Sequence, residues 1–412
     1  MRVLVREHLT EYVSFRDLYV YPSTNYGLFG LYRYPAKFIP QVVLYAIREY
    51  AQSGDVVFDP FAGNGTVGIA CRLLGHDYEL WDINPMLSFL HNFCHINSAV
   101  PTKEVIKSLE EVQKSRGVYI PHWDNITYWY PESFLEELGR LRYAIEKLEN
   151  YQVKLILLLA FLKTAKYFSY ADEKVHKLYR SKKAKEKVEK LLKDNWRSFM
   201  RENLRSNVVY ILEKLQEYLS EKPKEVQGVV MAGVDTLRQE LHKDVDILLT
   251  SPPYLQAQEY IRSTKLELFW LGHTQEQVSQ LSKREIPYRK DVLEVSIESE
   301  TYHVLYEAIR EEKLREVYKK YFMSVVGSLQ RLSEKVRKRM LIFVGPVYSG
   351  DVKVPIDNIL LEHFTYLGWK HVRTYVDKVK SRVMFNTKDF LNPASKRENK
   401  RMETEHLLVI ER

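Results

Sequence analysis

The stretch GDVVFDPFAGNGT, residues 54–66, decides the fold. A short run of apolar and β-branched residues ends at Asp59, and a turn containing Gly63 and Gly65 follows before a helix begins near Thr66. A strand that enters a helix through such a turn is typical of a β-α-β unit, because glycine lets a ligand approach the backbone closely. The next residues, GIACRLLGHDYELWDINP at 68–85, predict the helix, a turn and a second strand.

Four later segments also predict strands, because each is a short apolar run rich in β-branched residues. They are VQGVVMAGVDTL from Val226, KDVDILLTSPPY from Lys243, RMLIFVGPV from Arg339 and TEHLLVIER at 404–412. Strands that alternate with helices predict an α/β fold with a doubly wound sheet.

Two long segments interrupt this alternation, and their abundance of Leu, Glu, Lys and Arg predicts helices. We therefore expect a core of residues 1–100, 225–273 and 336–412, with helical insertions at 101–224 and 274–335. Residues 151–168 predict an apolar helix that is too short to span a bilayer and that we expect to pack on the sheet. A basic loop is expected at 381–404.

The chain of 412 residues carries a net charge of +8, which favours a polyanionic partner, although many enzymes are mildly basic. Residues 174–205 hold twelve Lys or Arg against four acidic residues, so this segment alone accounts for the excess. Its residues Arg180, Lys182 and Lys183 are candidates for substrate binding. The alternative is a solvated helix face, and the sequence leaves both open.

The remaining composition excludes several classes of protein. The two cysteines, Cys71 and Cys94, have no neighbouring Cys or His at ligand spacing, so we expect neither a disulfide framework nor a metal site. The N-terminus is charged where a signal peptide needs an apolar run, which favours a cytoplasmic protein. Abundant Tyr, Lys, Arg and Glu are typical of a thermophile.

The glycine turn predicts a site for a cationic nucleoside. It lacks the GxGxxG spacing and the Gly-Lys-Ser or Gly-Lys-Thr of phosphate loops, and Asp59, which opens it, would repel a diphosphate. Asp59 can instead face the aminoacyl end of S-adenosylmethionine. Asp82 ends the second strand, where a carboxylate can accept ribose hydroxyls, and Asp235 is a candidate for the adenine amine. Loop capping is the alternative role of Asp82 and Asp235.

The tetrapeptide Ser251, Pro252, Pro253 and Tyr254 follows an apolar strand and so should lie at the carboxyl edge of the sheet. The prolines hold the backbone extended. The Ser251 hydroxyl and the Pro252 carbonyl could then accept both protons of an exocyclic base amine, which would free the nitrogen lone pair. Tyr254 could stack on the base. Chance turns of this sequence also occur in ordinary loops.

Together, DPFAGNGT and SPPY resemble motifs I and IV of the S-adenosylmethionine-dependent amino-methyltransferases that make N4-methylcytosine. The segment YPAKFIPQ, residues 34–41, resembles the stretch that closes over the methionine end of the cofactor, and LQAQEYIRSTKLELFWLG resembles one branch of the family. The resemblance implies a mostly parallel, seven-stranded Rossmann-like sheet. The cofactor residues that it and the turn indicate are Tyr34, Pro35, Lys37, Asp59, Pro60, Phe61, Gly63, Gly65, Thr66, Asp82, Ile83, Asn84 and Asp235.

Adenine-N6 relatives more often carry Asp or Asn in place of Ser251, so the resemblance favours cytosine N4. The first insertion stands where many DNA members carry a recognition domain, and an archaeal ribosomal-RNA cytidine N4-dimethyltransferase shares the motif class. We therefore lean toward structured RNA, with DNA as the alternative. The target base should be flipped out or unpaired.

The stretch that follows the predicted catalytic turn contains Tyr260, Arg262 and Lys265. These three side chains could hold the phosphates of the flipped nucleotide. The alternatives are a core position for Tyr260 and a solvated one for Lys265. Two other functions remain open: a methyltransferase acting on a small molecule or a protein, and a non-catalytic RNA-binding assembly factor.

Overall fold

The computed structural model describes residues 9–35, 37–173, 177–255, 259–378 and 403–412. The charged N-terminus through residue 8, the start of the basic segment at 174–176 and most of the expected basic loop lie outside the described residues. Residue 36 of the YPAKFIPQ segment and residues 256–258 after the catalytic turn also lie outside them.

Within these ranges, eight strands form the main sheet, in the order β1-β9-β10-β6-β5-β2-β3-β4, and β7 and β8 form a separate hairpin. The strands are β1 (Thr10–Val13), β2 (Val56–Asp59), β3 (Asp77–Asp82), β4 (Gly228–Ala232), β5 (Val245–Thr250), β6 (Val336–Val344), β7 (Val347–Ser349), β8 (Val352–Val354), β9 (Lys370–Lys378) and β10 (Thr404–Glu411). Only β10 runs antiparallel to its neighbours in the described sheet.

The predicted doubly wound, mostly parallel α/β fold is therefore confirmed, and all six predicted strands are present. The sheet has eight strands rather than the expected seven. Two of the eight strands, β1 and β9, lie outside the six segments predicted as strands. β1 has four residues and pairs in parallel with β9 at the sheet edge. A strand this short and this little buried has no clear apolar alternation, so sequence periodicity does not reveal it.

Sixteen α-helices surround the described sheet. They are α1 (Phe15–Leu18), α2 (Pro40–Tyr50), α3 (Thr66–Leu74), α4 (Met86–His91), α5 (Thr102–Val112), α6 (Ile126–Trp129), α7 (Glu132–Glu146), α8 (Tyr151–Tyr167), α9 (Lys182–Lys193), α10 (Trp196–Ser220), α11 (Tyr260–Ser263), α12 (Lys265–Trp270), α13 (Gln275–Lys283), α14 (Glu300–Ala308), α15 (Glu312–Ser333) and α16 (Ile356–Tyr366). Short 3-10 helices occupy Gly27–Gly30 and Asn92–His95.

Both faces of the sheet are covered by apolar clusters, as a parallel sheet requires. Successive residues of β2 pack into opposite clusters, since Val57 belongs to one cluster and Phe58 to the other. The cluster that includes Val57 contains α2, α3 and the helices of the first insertion, and the cluster that includes Phe58 contains α15 and α16. The thiols of Cys71 and Cys94 are buried and are not joined in a disulfide.

The apolar helix predicted at 151–168 is α8, and its surroundings differ from the expectation. Its principal neighbours are the helices α5, α7, α10 and α12 rather than strands of the sheet. Buried residues occur on all its sides, which is typical of the central helix of a bundle. None of the helices among the described residues combines the length and apolar character needed to cross a membrane.

The order of the strands brings two distant segments together. β2 and β5 are parallel neighbours, with Val57 opposite Ile247 and Phe58 opposite Leu248. From β2 the chain proceeds to β3 on one side, whereas from β5 it proceeds to β6 on the other. A change of direction of this kind opens a crevice at the carboxyl ends of the two strands, where ligands of open α/β sheets bind.

Candidate active site

A cleft of about 760 Å³ lies at this crevice. Four parts of the chain line it: the segment before β2, the turns after β2 and β3, the region after β4 and β5, and the start of the second insertion. Its lining residues are Tyr34, Lys37, Phe38, Phe61, Ala62, Gly63, Asn64, Asp82, Ile83, Asp235, Thr236, Leu237, Ser251, Pro253, Tyr260, Arg284, Glu285, Ile286 and Arg289.

Asp59 lies beneath the cleft and joins the ends of β2 and β5. Its Oδ1 accepts a hydrogen bond of 2.6 Å from the Thr250 hydroxyl and one of 3.0 Å from the Phe61 N–H. Burial raises the pKa of Asp59 to about 7, although both hydrogen bonds act to lower it. Among the described residues it is absent from the cleft lining. The structure therefore gives Asp59 a bracing contact, while a role toward the cofactor stays a prediction.

The glycine turn is fastened to the end of β3. Gly63 and Gly65 adopt φ values of 55° and 82°, in the left-handed region that favours glycine. The Gly63 N–H donates to Oδ2 of Asp82 at 2.8 Å. A Cβ on Gly63 would lie 3.3 Å from the ring of Tyr34, so a side chain there would narrow the cleft.

Asp82 has the capping role that was one of its two predicted alternatives, and its position also leaves the cofactor role possible as a prediction. Its Oδ1 accepts the N–H of Asn84 at 2.7 Å while its Oδ2 accepts that of Gly63, so the carboxylate caps both turns. It also lines the cleft with Ile83. Because each carboxylate oxygen can accept two hydrogen bonds, Asp82 keeps capacity for ligand hydroxyls. Desolvation raises the pKa of Asp82 to about 6.

Asp235 lines the cleft in a buried ion pair. Its two carboxylate oxygens lie 2.8 and 2.9 Å from the guanidinium nitrogens of Arg289, whose side chain is 1% exposed. Oδ1 also accepts the N–H of Leu237 at 3.2 Å, which is the capping contact. An adenine amine would have to share Asp235 with Arg289.

A buried polar network joins the segment before β2 to the turn after β3 and to the residues at the start of α11 and α12. The Asn84 amide donates to the Tyr34 hydroxyl at 3.2 Å and to the Thr264 hydroxyl at 3.0 Å. The ring of Tyr34 stacks on that of Tyr260, with centroids 6.2 Å apart. Because these residues come from three separate segments, the network fixes the position of the cleft wall that contains Tyr34 and Tyr260.

The other predicted cofactor residues lie around this network. The ammonium of Lys37 donates to the carbonyls of Thr24 and Phe29 at 2.6 and 2.8 Å, and burial lowers its pKa to about 8. Pro35 lines a neighbouring cavity rather than the cleft. The Pro60 carbonyl accepts the hydroxyl of Thr236, and Thr66 donates to Asn64 within the turn.

The Ser-Pro-Pro-Tyr turn, which the sequence predicts to be catalytic, reaches the same cleft. Ser251 and Pro253 line it, whereas Pro252 is buried. Tyr254 donates its hydroxyl to Oε1 of Glu405 on β10 at 2.8 Å, which holds the phenol. Burial, followed by the Glu405 carboxylate, raises the pKa of Tyr254 well above its usual value.

The second insertion supplies a wall of the cleft that sequence reasoning missed. Arg284, Glu285, Ile286 and Arg289 all line it. Glu285 is buried, and its Oε1 accepts the N–H of Ile261 at 2.9 Å, at the start of α11. Burial raises the pKa of Glu285 to about 8. The available signal was Pro287, which interrupts a helical stretch, but a proline alone does not indicate a ligand site.

The predicted substrate residues fall into four environments. Tyr260 lines the cleft. Arg262 donates to the Leu178 carbonyl at 3.2 Å and pairs with Glu259 at 3.2 Å, so it braces the loop that follows α8. Lys265 and Arg180 each lie over aromatic rings, and Lys182 and Lys183 are exposed on α9. The structure thus brings only Tyr260 to the cleft.

The lining suits a cationic nucleoside. Carboxyl groups of Asp82, Asp235 and Glu285 face the cleft together with the rings of Tyr34 and Phe61. Lys37, Arg284 and Arg289 line the cleft too, and Arg289 is paired with Asp235. Asp82 and, when ionised, Glu285 are therefore the carboxyl groups left to attract a sulfonium or an ammonium. The residues present therefore fit S-adenosylmethionine, with Phe61 and Ile83 in the lining as apolar surfaces for an adenine.

Comparisons with known proteins find methyltransferases. The DNA methylase family of N6 and N4 methyltransferases matches residues 9–88, which contain Tyr34, the glycine turn and Asp82. Type II methyltransferase M.BsoBI of Geobacillus stearothermophilus is 23% identical over 308 residues, which cover 64% of this chain and 56% of that protein. Type II methyltransferase M.MvaI of Kocuria varians is 26% identical over 261 residues, which cover 58% and 56%.

A third relative, Type II methyltransferase M.MjaII of Methanocaldococcus jannaschii, is 39% identical over 56 residues, which cover 14% of this chain and 11% of that protein. The chain thus spans little more than half the length of the first two relatives, at 56% of each.

We predict that the protein without ligand loses stability as the pH rises from about 4.5 to about 8, because the buried Glu285 carboxyl binds its proton more tightly in the folded chain. The stability that Glu285 contributes is complete below the pKa of this carboxyl in the unfolded chain. It is lost as the pH rises past the pKa of the carboxyl in the folded chain. Glu285→Gln, which keeps an acceptor for Ile261, should flatten the dependence of the melting temperature on pH. The exposed Glu294→Gln is the control, and equal slopes for Glu285→Gln and wild type would contradict the prediction.

Proposed function

We propose that the chain is an S-adenosylmethionine-dependent amino-methyltransferase of the N6/N4 family and that it methylates the exocyclic N4 amine of cytosine in DNA. The observation that carries the proposal is that the two motifs line one cleft: Ser251 and Pro253 face it together with Gly63 and Asp82. A cofactor bound at the glycine turn would thus lie next to a base held at the proline turn.

The proposed chemistry depends on holding the amine. S-adenosylmethionine supplies, when bound, a methyl group on a sulfonium. The lone pair of an exocyclic amine is delocalised into the ring, so the nitrogen is a poor nucleophile. The Ser251 hydroxyl and the Pro252 carbonyl accept its two protons and draw the nitrogen toward tetrahedral geometry. Positioning then supplies most of the rate enhancement.

Tyr254 is the proposed stacking partner of the target base. Its hydroxyl is held by Glu405 on β10, so the ring has a defined orientation beside the turn. A base within a duplex could not reach this recessed turn, so the target is flipped out or unpaired. The cost of unstacking is offset by the new stacking contact and by the hydrogen bonds to Ser251 and Pro252.

The choice of polymer rests on the comparisons. The matching family is described as DNA methylase, and this favours the DNA alternative over the lean toward structured RNA. The choice of cytosine N4 over adenine N6 rests on Ser251 in the catalytic turn. Residues 101–224 would then form the substrate-binding insertion, with the exposed lysines of α9 on its surface.

The experiment that tests the proposal uses the purified chain, tritiated S-adenosylmethionine, and separate DNA, RNA and protein acceptors. We expect label in DNA and N4-methyldeoxycytidine in a nucleoside digest analysed by mass spectrometry. N6-methyldeoxyadenosine would overturn the choice of base, and label only in RNA would overturn the choice of polymer. Label only in protein, or in no acceptor, would remove the nucleic-acid function.

Two substitutions should separate catalysis from cofactor binding. Tyr254→Ala should lower methyl transfer by at least about 100-fold while calorimetry shows unchanged binding of S-adenosylmethionine, because stacking and positioning are lost. Asp82→Ala should weaken cofactor binding, because it removes the acceptor that lines the cleft. Tyr254→Phe, which keeps the ring, is the matched control and should retain most activity. Full activity of Tyr254→Ala would exclude the stacking role.

Charge reversal on α9 should weaken DNA binding and reduce its salt dependence, because each lost phosphate contact lowers the slope of log K against log salt by about 0.9. The fourfold variant changes Lys182, Lys183, Lys190 and Lys193 to Glu and spares Lys187, which donates to Glu173 at 2.6 Å. Lys103→Glu with Lys107→Glu, on the exposed face of α5, is the control. An unchanged slope for the fourfold variant would mean that the lysines of α9 form a solvated face and do not contact DNA phosphates.

A further inference from the structure

An aromatic segment of the first insertion lies against the helix that follows the catalytic turn. It reads WDNITYWY, residues 123–130, and contains the short helix α6. The ring of Trp123 stacks on that of Phe269 in α12, with centroids 4.2 Å apart and an angle of 14°. Trp129 lies beyond Trp123, at 6.4 Å and 24°. The segment is therefore fixed to the catalytic part of the chain.

The rings of Phe269, Trp123, Trp129 and Tyr128 contact one another in this order, and we call them the aromatic row. A cation lies over a ring towards each end of the row. The Lys265 ammonium lies 5.5 Å from the centroid of Trp123. The Arg180 guanidinium lies 4.6 Å from the ring of Tyr128 and 4.3 Å from that of Tyr170. These contacts place positive charge beside each end of the row.

Tyr128 differs from its neighbours in exposure. Trp123 is 6% exposed and Phe269 is 1% exposed, as expected of packed rings, but Tyr128 is 51% exposed. Its ring is held edge-on by Trp129, at 5.1 Å and 85°, and by the cation of Arg180. A large ring that is held in place yet open to solvent is suited to stacking on a flat ligand.

The loop that carries Arg180 is itself anchored to the catalytic segment. Arg262 donates to the carbonyl of Leu178, and Lys177 pairs with Glu259, two contacts that join this loop to the residues just before and within α11. Through them, the position of Arg180 depends on that of the catalytic segment.

We infer that Tyr128 is a stacking site for an unpaired base of the nucleic-acid substrate, with Arg180 and Lys265 attracting the adjoining phosphates. The inference rests on the proposed function, since it takes the substrate to be a nucleic acid. Exposed aromatic rings interleaved with cations bind single strands, because every base has a flat face and the backbone is anionic. The site is separate from Tyr254 and engages a different nucleotide.

The test measures fluorescence anisotropy with a labelled, mixed-sequence single-stranded DNA of about 30 nucleotides, and with its duplex. Tyr128→Ala should weaken single-strand binding about tenfold, more than it weakens duplex binding, without changing the salt slope, because no phosphate contact is removed. Tyr128→Phe should bind within about twofold of wild type because the ring is kept. Tyr366→Ala, at a 70% exposed tyrosine on α16, is the control for removing an exposed ring and should bind as wild type does.

Three results would overturn the inference: wild-type affinity in Tyr128→Ala, equal weakening in Tyr128→Phe and Tyr128→Ala, or equal weakening of single strand and duplex. Unchanged melting temperatures among the variants would exclude misfolding, as the exposure of Tyr128 leads us to expect. Methyl transfer by the wild type is measured separately. Its failure would remove the proposed reaction, whereas the anisotropy data decide the stacking site by themselves.

Discussion

The hydrogen bond from the Thr250 hydroxyl to the Asp59 carboxylate joins two residues that are 191 positions apart. It lies at the carboxyl ends of β2 and β5: Asp59 is the first residue of DPFAGNGT, and SPPY begins immediately after Thr250. Both partners are buried, at 0% and 1% exposure, so the bond forms in a poorly solvated environment where it is electrostatically strong. The spacing of the glycine turn and the proline turn, and hence the cleft between them, depends on this contact.

Around this contact, the protein concentrates carboxyl groups that are costly to ionise. The pKa values of Asp59, Asp82 and Glu285 are all raised by burial, to about 7, 6 and 8. Such a cluster opposes stability near neutral pH, and a cationic ligand in the cleft would favour the ionised forms. The destabilised acids and the affinity for a positively charged cofactor thus have one physical origin.

The insertions do more than cover the sheet. The second contributes Glu285 and Arg289 to the cleft wall, and Arg289 neutralises Asp235 there. The first forms a bundle around α8 and presents the aromatic row beside the catalytic segment. Under the proposed function, this helical layer would hold the polymer while the sheet edge holds the cofactor, and substitutions could then alter substrate binding and methyl transfer independently.

The sequence by itself determined the fold class, the six principal strands and the location of both motifs, because strand periodicity and turn chemistry are local properties. Tertiary structure alone decided which side chains face the cleft. Arg289 reaches Asp235 across 54 positions and Tyr34 meets Asn84 across 50, and no local pattern encodes such distances. For the same reason, local sequence patterns did not predict the edge strand β1 or the cleft wall that contains Glu285. Their positions follow from packing against residues far away in the chain, whereas β2 and its glycine turn follow from residues next to one another.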